Sequence, residues 1–480
     1  MRRGSGLVKC HDRRNVPFMT IWPPRPGSLQ RPAYRSLVQL IEAAIDSGEL
    51  KPGQKLPTHR QLAFDLGLSV QTVSRAYDKL VEAGKVQGEV GRGTFVRALS
   101  DDLRVPFVSH RTAGRLIDMS ILKPVVDHTH KEAFQKALRD IARSVPDAVL
   151  GAFRAGTLLD RDHGAVARWL ALCGLTAPPS AVVPTNGGTA AMTVALMTAA
   201  HSGDLVVAEE IGHHTLRPLT RYLGLRLRGL ETDKGGIRPE AFAAACRAEP
   251  VKVLHLMPTG LNPLGFTMSS RRREALVEIA RRHDVLIVEN HSSGPLHEAA
   301  PPPLAVLAPE RVLFFTSLTK CVLPGLRIGF LVVPNHLGAA AANRHLVTSW
   351  MATSLAMEIA LRWIETGTAE RLLQRQRVAL GDRADFAASV LSPVAHRISP
   401  SGLHAWLPCA DVAQEDALAA AARDAGVAVA RAGSFAIGAH DRHPGLRLAL
   451  GGQSFPDFAR GLRIVARLAS EHPEAVVPQI

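Results

Sequence analysis

The amino-acid sequence predicts an α/β protein, a mostly parallel sheet with helices on both faces, preceded by a small helical module with its own core. Three observations carry this. From about residue 116 onward, short apolar runs at 181–183, 204–207, 251–257, 285–288 and 312–315 alternate with helical stretches. That alternation is the pattern of strands buried on both sides between helices. Ahead of it, residues 31–97 hold three short helical stripes and a Gly-rich turn. At 480 residues the chain also exceeds one typical domain.

Charge separates the two parts. Residues 1–100 carry 16 Lys and Arg against 8 Asp and Glu, so +8 of the net +14 lies in the first fifth of the chain. Such an excess suits a polyanionic partner. No apolar run reaches the roughly 18 residues of a membrane span and no signal peptide is expected. The five cysteines (Cys10, Cys173, Cys246, Cys321, Cys409) are scattered without metal-ligand spacing. A reducing, cytoplasmic setting follows as the expectation.

Residues 1–30, rich in Arg, Pro and Gly, are expected to form a flexible basic extension, with Met19 as an alternative start to Met1. Apolar residues at 37, 40, 41, 44 and 45 predict a first helix closed by Gly48. Thr58 is placed to cap a second that buries Leu62, Ala63 and Leu66 and stops at Gly67. Ser69 is placed to cap a third, whose Val73, Ala76, Tyr77 and Leu80 share one face. Its other face shows Gln71, Thr72 and Arg75, side chains suited to base edges and phosphates. Val86–Val90, a 91–93 turn and 94–96 read as a hairpin with Arg92 at its tip.

In the larger part, chemistry gathers after strands. Behind the run 311–315 comes Ser317-Leu-Thr-Lys320-Cys-Val-Leu-Pro-Gly-Leu-Arg327-Ile-Gly329. A lysine just past a buried strand reaches a ligand at the sheet's carboxyl edge, and Ser317 and Arg327 suit a phosphate. Schiff-base lysine plus phosphate cradle is how pyridoxal 5′-phosphate (PLP) is held. Thr185-Asn-Gly-Gly-Thr-Ala190 is a small-residue turn entering a helix, where backbone N–H groups suit a phosphate. Pro258-Thr-Gly-Leu-Asn-Pro-Leu-Gly265 and Glu289-Asn290 follow two further strands.

Residues 31–97 resemble the winged helix-turn-helix domain of GntR-type transcription regulators, through Pro52-Gly-Gln-Lys-Leu-Pro57, Arg60-Gln-Leu-Ala63, Leu66-Gly-Leu-Ser69, Thr72-Val-Ser-Arg-Ala-Tyr77 and Gly91-Arg-Gly-Thr-Phe-Val96. The resemblance implies that Arg60, Ser69, Gln71, Thr72, Arg75, Arg92 and Gly93 line double-stranded DNA. Residues 116–480, after a 98–115 linker, resemble the fold-type I aminotransferases with their small C-terminal α+β subdomain. The combination resembles the MocR-type regulators. It implies a phosphate held by Gly187, Gly188, Thr189, Ser317 and Arg327. It further implies Asn262 on the ring's phenolic oxygen and Lys320 in the internal aldimine. Arg447, in Gly445-Leu-Arg-Leu448, would take an amino-acid carboxylate.

Three positions depart from that family. Asn290 stands where an Asp keeps the pyridine nitrogen protonated, Ser293 where a Tyr meets the phenolic oxygen, and His213 where an aromatic ring stacks on the cofactor. A neutral amide cannot stabilise a pyridinium, so the electron sink is weakened. The chain has only three tyrosines, Tyr34 and Tyr77 in the head and Tyr222, so no spare Tyr stands in. Glu289 and His291 flank Asn290 on a strand and point to the other side. The expectation is a homodimeric, DNA-binding regulator that senses PLP or an amino-acid adduct, with weak or no transaminase turnover. An active aminotransferase with a DNA-binding head, or a regulator that has lost PLP, are the alternatives. Asp127-His-Thr-His130 lacks a metal-site pattern, and Cys321 reads as a packing residue.

Overall fold

A computed structural model describes residues 29, 32–46, 49–51, 53–82, 85–89, 93–96, 116–151, 158–437 and 443–471. The chain divides into two compact units, Met1–Val108 and Ser109–Ile480. The expected stop at Gly48, the hairpin tip at Arg92 and the 98–115 linker lie outside the described residues.

In the first unit, α1 (Ala33–Asp46), α2 (His59–Leu66) and α3 (Val70–Glu82) precede β1 (Val86–Glu89) and β2 (Gly93–Val96). Thr58 accepts a hydrogen bond from Gln61 N, and Gly67 ends α2 at φ 64°, the left-handed conformation that glycine adopts without a Cβ clash. Ser69 Oγ accepts from Thr72 N at 3.1 Å, opening α3 as expected. Leu37 and Ile41, Leu62 and Leu66, and Val73, Ala76, Tyr77 and Leu80 meet in one core, with Val86 and Val96 beneath. Leu29 packs on the same core, so the expected extension 1–30 contributes at least this residue to the fold. Gly93 pairs with Glu89 inside the hairpin rather than in its turn. The 53–56 loop runs alongside β2, with Leu56 N bonded to Thr94 O at 2.8 Å.

The second unit opens with β3 (Ile117–Asp118) and builds a seven-stranded sheet from β4 (Val182–Thr185), β5 (Leu205–Glu209), β6 (Arg226–Leu230), β7 (Val251–Leu256), β8 (Leu286–Asn290), β9 (Val312–Ser317) and β10 (Gly329–Val332). The order is β4-β10-β9-β8-β7-β5-β6. Neighbours run parallel except β10, which is antiparallel to both β9 and β4. All five sequence-predicted strands appear, shifted by one or two residues. β6 and β10 were missed: β6 is an edge strand that starts at exposed Arg226 and buries only Leu230, and β10 hides behind the lysine motif.

Alternate residues of each strand feed two cores. Val207, Leu254, Ile287 and Phe314 join one, and Val206, Val253, Val288 and Leu313 the other. The second is covered by α4 (Gly188–Ala199), which buries Ala191, Met192, Val194, Ala195 and Leu196. Each such large apolar side chain contributes about 1.5–3 kcal/mol. A small antiparallel sheet holds β11 (Arg397–Ile398), β12 (His404–Pro408), β14 (Ala430–Arg431) and β15 (Gly445–Ala449), in the order β11-β12-β15-β14. Between them in sequence, β13 (Val427–Ala428) pairs parallel with β3. Among the described residues, no helix is long and apolar enough to cross a membrane.

Candidate functional site

Direction reversal between β9 and β10 creates the centre of the site. The loop that makes it carries Lys320 and Arg327 at the carboxyl edge of the parallel strands. Lys320 Nζ donates to Leu122 O at 2.7 Å. Burial first, then the charges of Arg447, Arg327 and Lys123, lower its pKa from 10.5 to about 8.

Arg327 itself is exposed and adopts φ 52°. Its guanidinium lies over Gly187, where a Cβ would come within 2.9 Å of Nη2. Gly187 sits at φ 83°, directly before α4. A Cβ on Gly188 would lie 2.8 Å from Ser292 Oγ and 3.7 Å from Ser317 Oγ. Four of the expected phosphate residues therefore converge at the start of α4, too closely for a Cβ on either glycine. Thr189, the fifth, follows on the first turn and is exposed. Ser292, beside Gly188, was missed by sequence reasoning, which singled out Ser293 in place of the Tyr that meets the phenolic oxygen. Ser293 opens the short turn Gly294–Leu296, its carbonyl accepting from Leu296 N. Asn186 pins the neighbouring loop, donating to Met351 O at 3.1 Å and accepting from Thr353 N at 3.0 Å.

Arg447, buried on β15, donates through Nη1 to Asn262 Oδ1 at 3.1 Å and through Nη2 to Ser120 O. Its Cζ stands 4.9 Å from the Phe435 ring centre. Nε has no hydrogen-bond partner and, among the described residues, no carboxylate forms an ion pair with this guanidinium. Burial pulls its pKa down to about 9. The Asp118 charge offsets only part of that burial, and a buried cation with an orphaned donor and no direct ion pair is a ready receptor for an anion.

His213 follows β5 and feels the charges of both Lys320 and Arg447; burial, then those charges, lower it to about 4, so it is neutral. Its ring stacks on His214 at 4.7 Å, and Nδ1 lies 2.8 Å from the Thr215 hydroxyl. One ring face is thereby used within the protein.

Asn290 ends β8, buried, with Oδ1 accepting from Ser292 N at 3.1 Å. Its neighbours turn away as expected. Glu289 accepts from Leu304 N at 3.1 Å and Ala305 N at 3.0 Å, and burial raises its pKa to about 7. His291 packs 5.1 Å from Phe314 in the opposite core. The Cys321 thiol is fully buried, donates to Ser292 O at 3.2 Å and is pushed well up by burial. No cluster of three or more metal-ligating side chains occurs among the described residues. Asp127 instead caps the helix His128–Arg143, with His130 Nδ1 at 2.9 Å.

On the first unit, Arg60, Gln71 and Arg75 are exposed. The Ser69 and Thr72 hydroxyls lie 2.8 Å apart and bond to each other. Gly93 holds φ 116°, and a Cβ there would meet Lys55 Cε at 2.7 Å. Arg75 lies over Tyr34, a ring that sequence reasoning did not connect to it.

Residues 33–96 match the family described as bacterial regulatory proteins, gntR family, and residues 163–454 match aminotransferase class I and II. The chain is 28% identical to the probable rhizopine catabolism regulatory protein MocR of Rhizobium meliloti, over 73% of this chain and 76% of that one. It is 24% identical to the HTH-type pyridoxine biosynthesis transcriptional regulator PdxR of Corynebacterium glutamicum, over 78% and 82%. Among solved structures, an archaeal alanine:glyoxylate aminotransferase superposes with a TM-score of 0.69 at 22% identity, over 75% of this chain and 92% of that one.

Proposed function

The chain belongs to the aminotransferase class I and II family, carries a gntR-family DNA-binding head and is a transcription regulator of the MocR type; from that premise we propose that its large unit senses PLP, alone or with an amino acid, with little turnover. The reading includes a cytoplasmic homodimer whose two heads read a two-part operator.

One observation carries the ligand: Lys320 and the Gly187–Gly188–Ser317–Arg327 cradle lie at one edge of the sheet, and the charges around Lys320 are positive. The donor set fits a phosphate dianion, because two hydroxyls, a helix N-terminus and a guanidinium meet at the two glycines. PLP, when bound, supplies an aldehyde that condenses with a primary amine and a ring that withdraws electrons from it.

The protein's own groups do the rest. Lys320, lowered to about 8, offers a neutral amine at a pH where an ordinary lysine is charged. Asn262 presents an amide beside Arg447, and Arg447 receives a carboxylate. Asn290 carries no charge to hold a proton on a ring nitrogen, which supports sensing over turnover. The name of the pyridoxine biosynthesis regulator among the relatives supports a pyridoxal-type ligand.

The test uses the full-length protein. Added PLP is expected to give a visible absorption band that borohydride reduction fixes to the peptide bearing Lys320. The band should be missing from Lys320→Ala. A wild-type protein that gives no band and no reduced adduct sinks the proposal.

A further inference from the structure

The structure assigns a DNA-backbone contact that no comparison names: Tyr34, Arg35 and Arg75 form a clamp for a phosphate, beside the base-reading Gln71 and Thr72. It rests on the DNA-binding reading of the head. Tyr34 lies on the first turn of α1 and packs against the head's core, so its ring is a fixed platform. Arg75 Cζ stands 4.2 Å from the centre of that ring. Arg35 Cζ lies 5.9 Å from the same centre, and its Nε donates to the Tyr34 oxygen at 3.1 Å. The clamp thus joins the start of α1 to the recognition helix.

Both guanidiniums are exposed, and among the described residues neither forms an ion pair with a carboxylate. The Tyr34 phenol is held below its ordinary value, first by the Arg35 hydrogen bond and then by the charges of Arg35, Arg75 and Lys79. Two arginines therefore cluster on one ring, 4.2 and 5.9 Å from its centre. Such a cluster repels itself until an anion joins it. A guanidinium resting on an aromatic face keeps its in-plane N–H edge free and loses little further freedom on binding. Held there, Arg75 is tethered to the flank of α3, where the sugar-phosphate backbone runs, while Gln71 is one turn nearer the helix start. Contacts of this kind position a protein on DNA without reading sequence.

The experiment measures anisotropy of a random-sequence duplex with the full-length protein across a salt series. Arg35→Ala and Arg75→Ala are each expected to lower the slope of log K against log salt by about 0.9, one phosphate contact each. Arg75→Lys keeps the charge and should restore the slope. Base preference selected from a random pool should be unchanged in all three. Unchanged slopes in both alanine variants overturn the clamp, as does an altered base preference in Arg75→Ala. A wild-type protein without salt-dependent binding overturns the DNA-binding reading itself, and so the two failures are told apart.

Discussion

Lys320 Nζ donates to the carbonyl oxygen of Leu122 across 198 positions of the chain, at 2.7 Å. Arg447 Nη2 makes the matching bond to Ser120 O. The two cations of the site thus rest on one short stretch, just after β3 where the described part of the second unit begins. A ligand that engages either cation takes a partner from that backbone, and hydrogen bonds to charged groups contribute about 1.5–3 kcal/mol each. Amide hydrogen exchange over residues 117–123 is therefore expected to change when PLP is added. The same peptides in Lys320→Ala should show no PLP-dependent change.

Capture of PLP by Lys320 should depend on pH with a midpoint near 8. The sign follows from the group: below about 8 the lysine is an ammonium and not a nucleophile, and above it the neutral amine dominates. The rate of appearance of the visible band should rise with pH and level off above this value. A midpoint near the ordinary 10.5 would mean that burial and the neighbouring arginines do not act as described.

Asn290→Asp should keep the Ser292 N–H contact, since a carboxylate oxygen replaces Oδ1, and add a charge able to hold a proton on a ring nitrogen. Loss of the visible band on adding amino acids, followed by stopped flow, should speed up by roughly tenfold or more, about 1.4 kcal/mol of barrier. No acceleration would place the block to turnover elsewhere, with Ser293 or His213.

Gly187→Ala acts on the cradle in two ways. A Cβ is strained at φ 83°, and it would sit 2.9 Å from Arg327 Nη2, pushing the guanidinium aside. The expected fold cost is about 1–2 kcal/mol, read from thermal unfolding. The PLP dissociation constant should rise by more than about tenfold, the loss of one charge-assisted contact. Unchanged PLP affinity would remove Arg327 from the phosphate site.

Glu289 is structural, and its removal should show that. Glu289→Ala strands two buried N–H groups, Leu304 and Ala305. Denaturant unfolding should report a loss of about 2–5 kcal/mol. Any folded fraction should bind PLP normally, because the carboxylate faces away from Asn290.

Patterning made much of the fold legible. The caps at Thr58, Gly67 and Ser69 follow from local hydrogen-bonding chemistry that a few neighbouring residues complete. The five strands announce themselves by apolar runs, because strands buried on both faces leave no polar alternation. Lys320, Ser317, Arg327 and the Gly187–Gly188 turn were visible as motifs, since short spacing at strand ends is itself a sequence property. Ser292 was not visible: with two adjacent serines, only the direction of each side chain off β8 separates the one beside Gly188 from its neighbour.

The sequence by itself determined the local elements, the lysine and phosphate-type side chains, and the uncharged residue at position 290, all of which depend on side-chain identity and short spacing. Only the tertiary structure decided that Leu122 and Ser120 hold the two cations, that Arg447 is buried with Nε unpartnered, and that Tyr34 carries Arg75. The physical reason is common to all three. Every residue offers the same backbone carbonyl, and a charge's partner is set by which distant segment packs against it. Chain positions 198 and 327 apart carry no mutual signal until the sheet and its covering elements bring them together.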